Sequence, residues 1–326
     1  MEKTSSCGDV NGLTLKIRQM LEASVKRNLA EGILLSGGLD TSILAVLASK
    51  IVSLRGITVA FQDSVASDVE YAEMVAKELN LEHIIHHFDE SELVEAIYTT
   101  IRVMGSFDPM EIRNSSAIYI ALKVAKYNGV QSIMTGDGCD ELFAGYSFLF
   151  NLDSNRLEME LQRLWHIMQF SSVELSKFLG MEAKLPYLDP EFKSLAMKIH
   201  PGLKVREENG VKWGKWILRK AFEEMLPKEI VWRVKTPIEM GTGTFTLPHL
   251  LNRKISDGEF EEKKAKYLKE DKVVIRDKEH LLYYEIYREV VGVPHPVDPK
   301  GRVCPQCNSN IPEKATYCRV CGAYPV

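Results

Sequence analysis

The chain has 326 residues, of which 26% are charged and 45% apolar, with a formal net charge of −4. That is enough for one large domain plus a small appendage, or two domains, and it excludes a molecule built wholly to attract polyanions. No run of about 18 apolar residues is present, so no membrane span or membrane partner is expected. Met1–Cys7 lacks the apolar core of a signal peptide. Cys7 and Cys139 stand alone, and the other four of the six cysteines fall in the last 23 residues. That clustering points to metal and a reducing cytoplasm, not to a disulfide framework.

Taken in chain order, residues 13–30 have Leu13, Ile17, Met20, Leu21 and Val25 at near-helical spacing, which predicts a helix. Strands are predicted at 32–35, 56–61, 82–87 and 131–135, and helices at 41–53, 68–79, 90–104 and 114–127. The alternation argues for an α/β fold, a parallel sheet with helices on both faces, whose ligands bind at strand carboxyl ends. Residues 155–230 read as mostly helical, and a Gly/Thr stretch follows at 241–244. Residues 258–291 are charged and then amphipathic, ending in a helix through Leu281, Leu282, Ile286 and Val290. Gly292–Gly301 carries three prolines and two glycines in ten residues, the composition of a stiff linker. No internal repeat or low-complexity tract is evident.

Two Gly-rich strings follow predicted strands. Ser36-Gly37-Gly38-Leu39-Asp40-Thr41-Ser42 joins a strand to a helix start. Turn amides and the helix dipole favour an anion there, glycines allow close approach, and the hydroxyls of Ser36, Thr41 and Ser42 add donors. No Gly-Lys-Ser/Thr follows, so this is not a Walker loop. The second string, residues 135–146, carries Gly136, Asp137, Gly138, Asp140 and Glu141. Mg²⁺ on a triphosphate wants one or two carboxylates, and Asp40 and Asp140, from two different strand ends, suit it. Asp140 equally suits an acidic turn capping a helix. At the C-terminus, Cys304, Cys307, Cys318 and Cys321 form two C-x₂-C knuckles separated by ten residues. That spacing predicts a closed structural Zn²⁺ site, whose ion supplies the folding energy a tail of some 25 residues lacks.

The first string resembles the pyrophosphate (PP) loop of the ATP pyrophosphatases. Both strings together resemble the synthetase domain of the asparagine synthetases and their β-lactam-forming relatives. The likeness continues through Ser106–Ser115, through Glu182-Ala183-Lys184-Leu185-Pro186-Tyr187-Leu188-Asp189, through Trp232-Arg233-Val234-Lys235 and through Lys278–Ile286. It covers about residues 13–292 in order. The resemblance implies an adenine nucleotide α-hydrolase-like fold of the PP-loop type. It implies a nucleotide site of residues 36–42 with Gly136, Gly138, Asp140 and Glu141. It also implies the cofactors ATP and Mg²⁺ and an AMP-forming ligase: a carboxylate attacks the α-phosphate, pyrophosphate leaves, and an amine displaces AMP. Lys235 would stabilise the transferring phosphoryl group, Asp137 would handle the nucleophile's proton, and Arg113 fits either substrate contact or a structural ion pair.

The likeness also has gaps. Only about 30 residues precede the first string, too few for the family's glutaminase domain. Nitrogen is therefore expected as ammonia, from a donor protein, or from an amine on the substrate. The same adenylation would serve a tRNA-modifying adenylyl and sulfur transferase, with tRNA as acceptor, a sulfur-donor protein as partner and Cys139 either a sulfur carrier or a filler. A non-catalytic ATP-binding relative is the third possibility. The expected domains are a helical segment (1–30), the synthetase-like domain (31–292), a linker (293–301) and a zinc ribbon (302–326). The linker implies a ribbon that moves separately or docks away from the nucleotide site. Around it, Lys300, Arg302, Lys314 and Arg319 against Asp298 and Glu313 suit RNA or a protein partner.

Overall fold

The computed structural model describes residues 9–62 and 64–326. Cys7 lies outside the described residues. The chain forms two compact units: one runs to Thr58 and adds Ser67–His86 and Leu122–Pro237, the other comprises Val59–Ala66, His87–Ala121 and Ile238–Val326.

In chain order the first elements are α1 (Val10–Arg27), β1 (Gly32–Leu34), α2 (Leu39–Ala48), β2 (Arg55–Phe61), α3 (Ser67–Glu78) and β3 (Glu82–Phe88). Then come α4 (Glu90–Met104), α5 (Pro109–Tyr127), β4 (Ser132–Met134), α6 (Cys139–Phe143), α7 (Ser154–Ile167), α8 (Ser171–Phe178) and β5 (Glu182–Lys184). They are followed by α9 (Pro190–Lys198), α10 (Pro201–Lys204), a hairpin of β6 (Arg206–Glu208) and β7 (Val211–Trp213), α11 (Trp216–Phe222) and α12 (Lys228–Val231). The last are α13 (Ile238–Thr242), α14 (Leu247–Lys254), α15 (Asp257–Glu270) and α16 (Lys278–Val290).

The main sheet has the order β3-β2-β1-β4-β5. β1 pairs in parallel with β2, with Ile33 opposite Gly56, and with β4, with Ile33 opposite Met134; β4 pairs in parallel with β5. The chain moves outward from β1 in one direction first and then in the other. With right-handed crossovers, that reversal puts the two sets of connections on opposite faces and opens a crevice above the carboxyl ends of β1 and β4.

Most predicted elements are present within a few residues. α1 starts and ends three residues earlier than predicted, because Asp9 caps it by accepting from the Gly12 amide at 2.7 Å. α5 starts at Pro109, before the predicted residue 114, since proline is at home in a first turn that needs no N–H. The helical reading of 155–230 misses β5, a three-residue strand too short for a periodic signal. It also misses the β6–β7 hairpin, although Asn209-Gly210, both at positive φ, is the turn dipeptide that marks one.

In the first unit the core gathers Ile33, Leu35, Leu44, Met134, Phe143, Tyr187, Phe192, Ile217 and Phe222. Each such side chain, fully buried, contributes about 1.5–3 kcal/mol. α2 is buried at every position but Asp40. An apolar helix enclosed on all sides holds its N-terminus fixed under the crevice. In the second unit α4 packs on α16. Phe107, fully buried, sits among His280, Tyr284 and Tyr287 of α16, with ring centroids 4.9–5.2 Å away. No helix among the described residues is long and apolar enough to cross a membrane.

Candidate active site and candidate metal centre

Both Gly-rich strings lie in the first unit, at the carboxyl ends of β1 and β4. Gly37 has φ +62°, and a Cβ there would come within 2.3 Å of the Tyr71 backbone. Only glycine fits that turn. Gly38 ends the turn, and no side chain among the described residues caps the N-terminus of α2. Its first amides are thus left for a ligand or water. Ser36 Oγ and Thr41 Oγ1 lie 3.2 Å apart, and the Gly38 amide donates to Ser36 Oγ at 3.3 Å. Ser42 Oγ is buried with no hydrogen-bond partner among the described residues. Arg233 braces the loop: it donates to the Ser36 carbonyl at 2.9 Å and to Asp68 at 2.7 Å, with its guanidinium 3.9 Å from the centre of the Tyr71 ring.

The acids of the two strings meet on one buried cation. Lys215 Nζ contacts Asp40 Oδ1 at 2.7 Å, Asp40 Oδ2 at 2.6 Å and Asp140 Oδ1 at 2.6 Å. Lys235 Nζ donates to the other oxygen of Asp140 at 2.6 Å. Burial pushes the Asp140 carboxyl up, but Lys215 and Lys235 outweigh it and hold it well below the usual carboxylate range. Burial likewise opposes the charge on Lys215, and Asp140 and Asp40 hold it protonated. Two glycines permit the approach. A Cβ on Gly145 would lie 1.8 Å from Asp140 Oδ1 and 2.4 Å from Lys215 Cε, and one on Gly214 would lie 2.2 Å from the Ala144 carbonyl oxygen.

Lys215, absent from the sequence-derived set, has φ +57° and stands just before α11. Its amide donates to the Phe143 carbonyl at 2.9 Å, which ties this strained residue to α6. Its neighbour in the scaffold is Arg219, whose guanidinium donates to the Gly214 carbonyl at 3.0 Å and the Arg233 carbonyl at 3.1 Å. One buried side chain thus joins the segments that carry Lys215 and Lys235. The apolar frame of Trp216-Ile217-Leu218 signals only a buried helix, and nothing local marks the lysine before it.

Asp137 accepts hydrogen bonds from Thr135 Oγ1 at 2.8 Å and from Ser172 Oγ, and burial raises its carboxyl above the ordinary range. Glu141 is buried and accepts from Tyr146 OH at 2.6 Å. Cys139 is wholly buried, and burial pushes its thiol well up. A neutral, enclosed thiol lacks the exposure and thiolate character of a sulfur carrier. Arg113 lies in the second unit, with Nε 3.4 Å from Glu239 and 3.4 Å from the buried Glu279. Its immediate partners are thus those of an ion pair.

The four C-terminal cysteines are buried, and their sulfurs all lie within 4.8 Å of one another. Cys304 and Cys321 Sγ are 3.7 Å apart, as are Cys307 and Cys318 Sγ. Of the two arrangements expected of the ribbon, separate movement or docking, the contacts are those of docking, on the body of its own unit. Arg276 Nη2 donates to the Cys321 carbonyl at 2.7 Å, and the Phe107 amide donates to the Val320 carbonyl at 2.7 Å, all within the second unit. The Pro-rich segment is itself pinned, because Asp298 and Asn310 exchange hydrogen bonds of 2.7 and 2.9 Å.

The asparagine synthase family model matches residues 16–176 and 158–281. The chain belongs to the asparagine synthase family. It is 31% identical over 307 residues to asparagine synthetase B [glutamine-hydrolyzing] of Escherichia coli (strain K12), covering 86% of this chain and 54% of that protein. It is 30% identical over 303 residues to a probable asparagine synthetase [glutamine-hydrolyzing] of Dictyostelium discoideum, covering 82% and 54%. The chain thus spans about half the length of these curated relatives. Among solved structures, the NMN synthetase of Francisella tularensis aligns with a TM-score of 0.31 and 16% identity, covering 58% of this chain and 92% of that one.

Proposed function

We propose that this chain is an ATP-dependent, AMP-forming ligase that adenylates a carboxylate, releases pyrophosphate and passes the acyl group to ammonia or another amine. The observation that carries this reading is the convergence of Asp40 and Asp140, from the first turns of the helices that follow two adjacent parallel strands, beside the N-terminus of α2, which no described side chain caps. The amides that open α2 and the hydroxyls of Ser36, Thr41 and Ser42 bind phosphate oxygens. Asp40 and Asp140 hold Mg²⁺: their oxygens already converge on one cation, and hard oxygen donors suit that ion. When bound, the ion neutralises triphosphate charge. Lys235, its ammonium at the mouth of the acidic pair, stabilises charge on the transferring phosphoryl group. Asp137, its proton affinity raised by burial, accepts a proton from the attacking amine.

The four cysteine sulfurs hold a structural Zn²⁺. A zinc–sulfur bond of about 2.3 Å in a tetrahedron sets sulfurs about 3.8 Å apart, close to the spacing found and far beyond a disulfide's roughly 2.0 Å. Four thiolates leave no open position, so the site has no part in the chemistry. Of the ribbon's cations, Arg302 is taken up by the Glu313 and Ala315 carbonyls, while Lys300, Lys314 and Arg319 are exposed, so the tRNA arm of the test below decides whether they meet a nucleic acid.

The test is to incubate the chain with Mg²⁺-ATP, ammonium and a panel of carboxylates that includes aspartate, with bulk tRNA in a parallel arm. Carboxylate-dependent AMP and pyrophosphate in equal amounts are expected. ADP alone, or AMP only with tRNA, overturns the reading.

A further inference from the structure

The residues between the paired cysteines are the part of such a ribbon that a metal fixes most tightly, because both flanking sulfurs share one ion. Here both of those short loops face the body of the second unit. In the first, Gln306 accepts from the Val274 amide at 2.8 Å through its carbonyl, and its side chain accepts from Arg276 Nη1 at 3.4 Å. In the second, the Arg319 carbonyl accepts from Ser106 Oγ at 2.8 Å and the Val320 carbonyl from the Phe107 amide at 2.7 Å. Tyr317, beside Cys318, donates its hydroxyl to Asp108 Oδ2. Gly322, beside Cys321, has φ +74°, and a Cβ there would lie 2.2 Å from Asp108 Oδ1. The fit is closer than any other residue allows.

The segment so gripped starts α5. Asp108 Oδ1 accepts from the Met110 amide at 3.3 Å, the Ile112 amide donates to the Asp108 carbonyl at 2.9 Å, and Arg113 Nε donates to the Pro109 carbonyl at 3.3 Å. Ser106, Phe107 and Asp108 are each no more than 5% exposed. The Phe107 amide finds its acceptor on the ribbon. A buried donor is costly to leave without a partner, so the segment is not indifferent to the ribbon's state. The ribbon in turn is too small to bury a core and holds its shape only through the metal.

We infer that the tetrathiolate ribbon is a metal-dependent clamp on this chain's own Ser106–Asp108 segment: with its ion bound it fixes the start of α5 and the seat of Arg113, and without it that segment loosens. The partner of the ribbon's knuckles is therefore the chain itself. The inference rests on the zinc reading above, whose failure appears separately as a chain without bound metal.

The experiment uses the full chain. Zinc is counted first, one per chain being expected, and amide hydrogen exchange is then followed with and without a zinc chelator. Chelation is expected to speed exchange of the 105–113 peptide at least tenfold and to leave the 32–48 peptide unchanged. Loss of zinc with unchanged exchange at 105–113 overturns the clamp. So does a zinc-loaded chain whose 105–113 peptide exchanges as fast as the chelated one, which leaves the knuckles free for an external protein or RNA. If chelation speeds both peptides, Tyr317→Phe and Gly322→Ala decide, because both keep the four thiols. Faster exchange confined to 105–113 at one zinc per chain supports the clamp, and no local change overturns it.

Discussion

Two short loops in this protein are each held by something that is not a strand or a helix, and they are held differently. The acidic string of the first unit is fixed by a side-chain cation: Lys215 bridges Asp40 and Asp140 at 2.6–2.7 Å. The Ser106–Asp108 segment of the second unit is fixed by backbone carbonyls of the ribbon. A charge bridge can be exchanged for another cation, as the Mg²⁺ site proposed above requires. A clamp made of backbone carbonyls has no charge to exchange and suits a permanent brace.

The sharpest way to break this contrast is Lys215→Met. It leaves two buried carboxylates facing each other, and removing one partner of a buried ionic group costs about 3–5 kcal/mol. Denaturant unfolding should show that loss, and AMP formation should fall at least a thousandfold. Unchanged stability with Lys215→Met would mean that the acids need no internal cation. Lys235→Ala comes next, because its ammonium is partly exposed and forms its ion pair with one oxygen of Asp140. We expect AMP formation to fall roughly a hundredfold to a thousandfold, with stability changed by no more than about 1 kcal/mol. A rise in KM for ATP with unchanged kcat would reduce Lys235 to a binding contact.

The second unit gives a pH test. Burial lifts the Glu279 carboxyl to about 7, against the pull of Arg113 and the Tyr283 hydroxyl. The folded pKa exceeds the ordinary 4.5, so the native state binds this proton more tightly than the unfolded chain. The stability it contributes is full below about pH 4.5 and lost as pH rises through about 7. Unfolding free energies at pH 5 and pH 8 should differ by a step, on the order of 2–3 kcal/mol, that Glu279→Gln removes. A step of the same size in Glu279→Gln would assign it to another group. The smallest effect belongs to Cys139→Ser. A buried thiol that only fills space should cost about 1 kcal/mol of stability and leave AMP formation within about twofold. Loss of activity in a folded Cys139→Ser variant would return the sulfur-transfer reading.

Local chemistry made much of this molecule legible before any coordinates. Ser36–Ser42 announces itself because a strand end, two glycines and a helix start are consecutive residues, and the four cysteines do so because they form two C-x₂-C pairs close together in the chain. The alternation of short apolar runs and amphipathic stretches determined the parallel sheet, since each element must bury one kind of face. Only the tertiary structure decided that Lys215 joins the two acids, because its partner Asp40 stands 175 residues away and a lone lysine before an apolar helix carries no periodic signal. It likewise decided that hydrogen bonds from Ser106, Phe107, Val274 and Arg276 hold the ribbon against the rest of the second unit, which the composition of the 292–301 segment did not show. Composition sets how stiff a segment is, while long-range hydrogen bonds set where it is held.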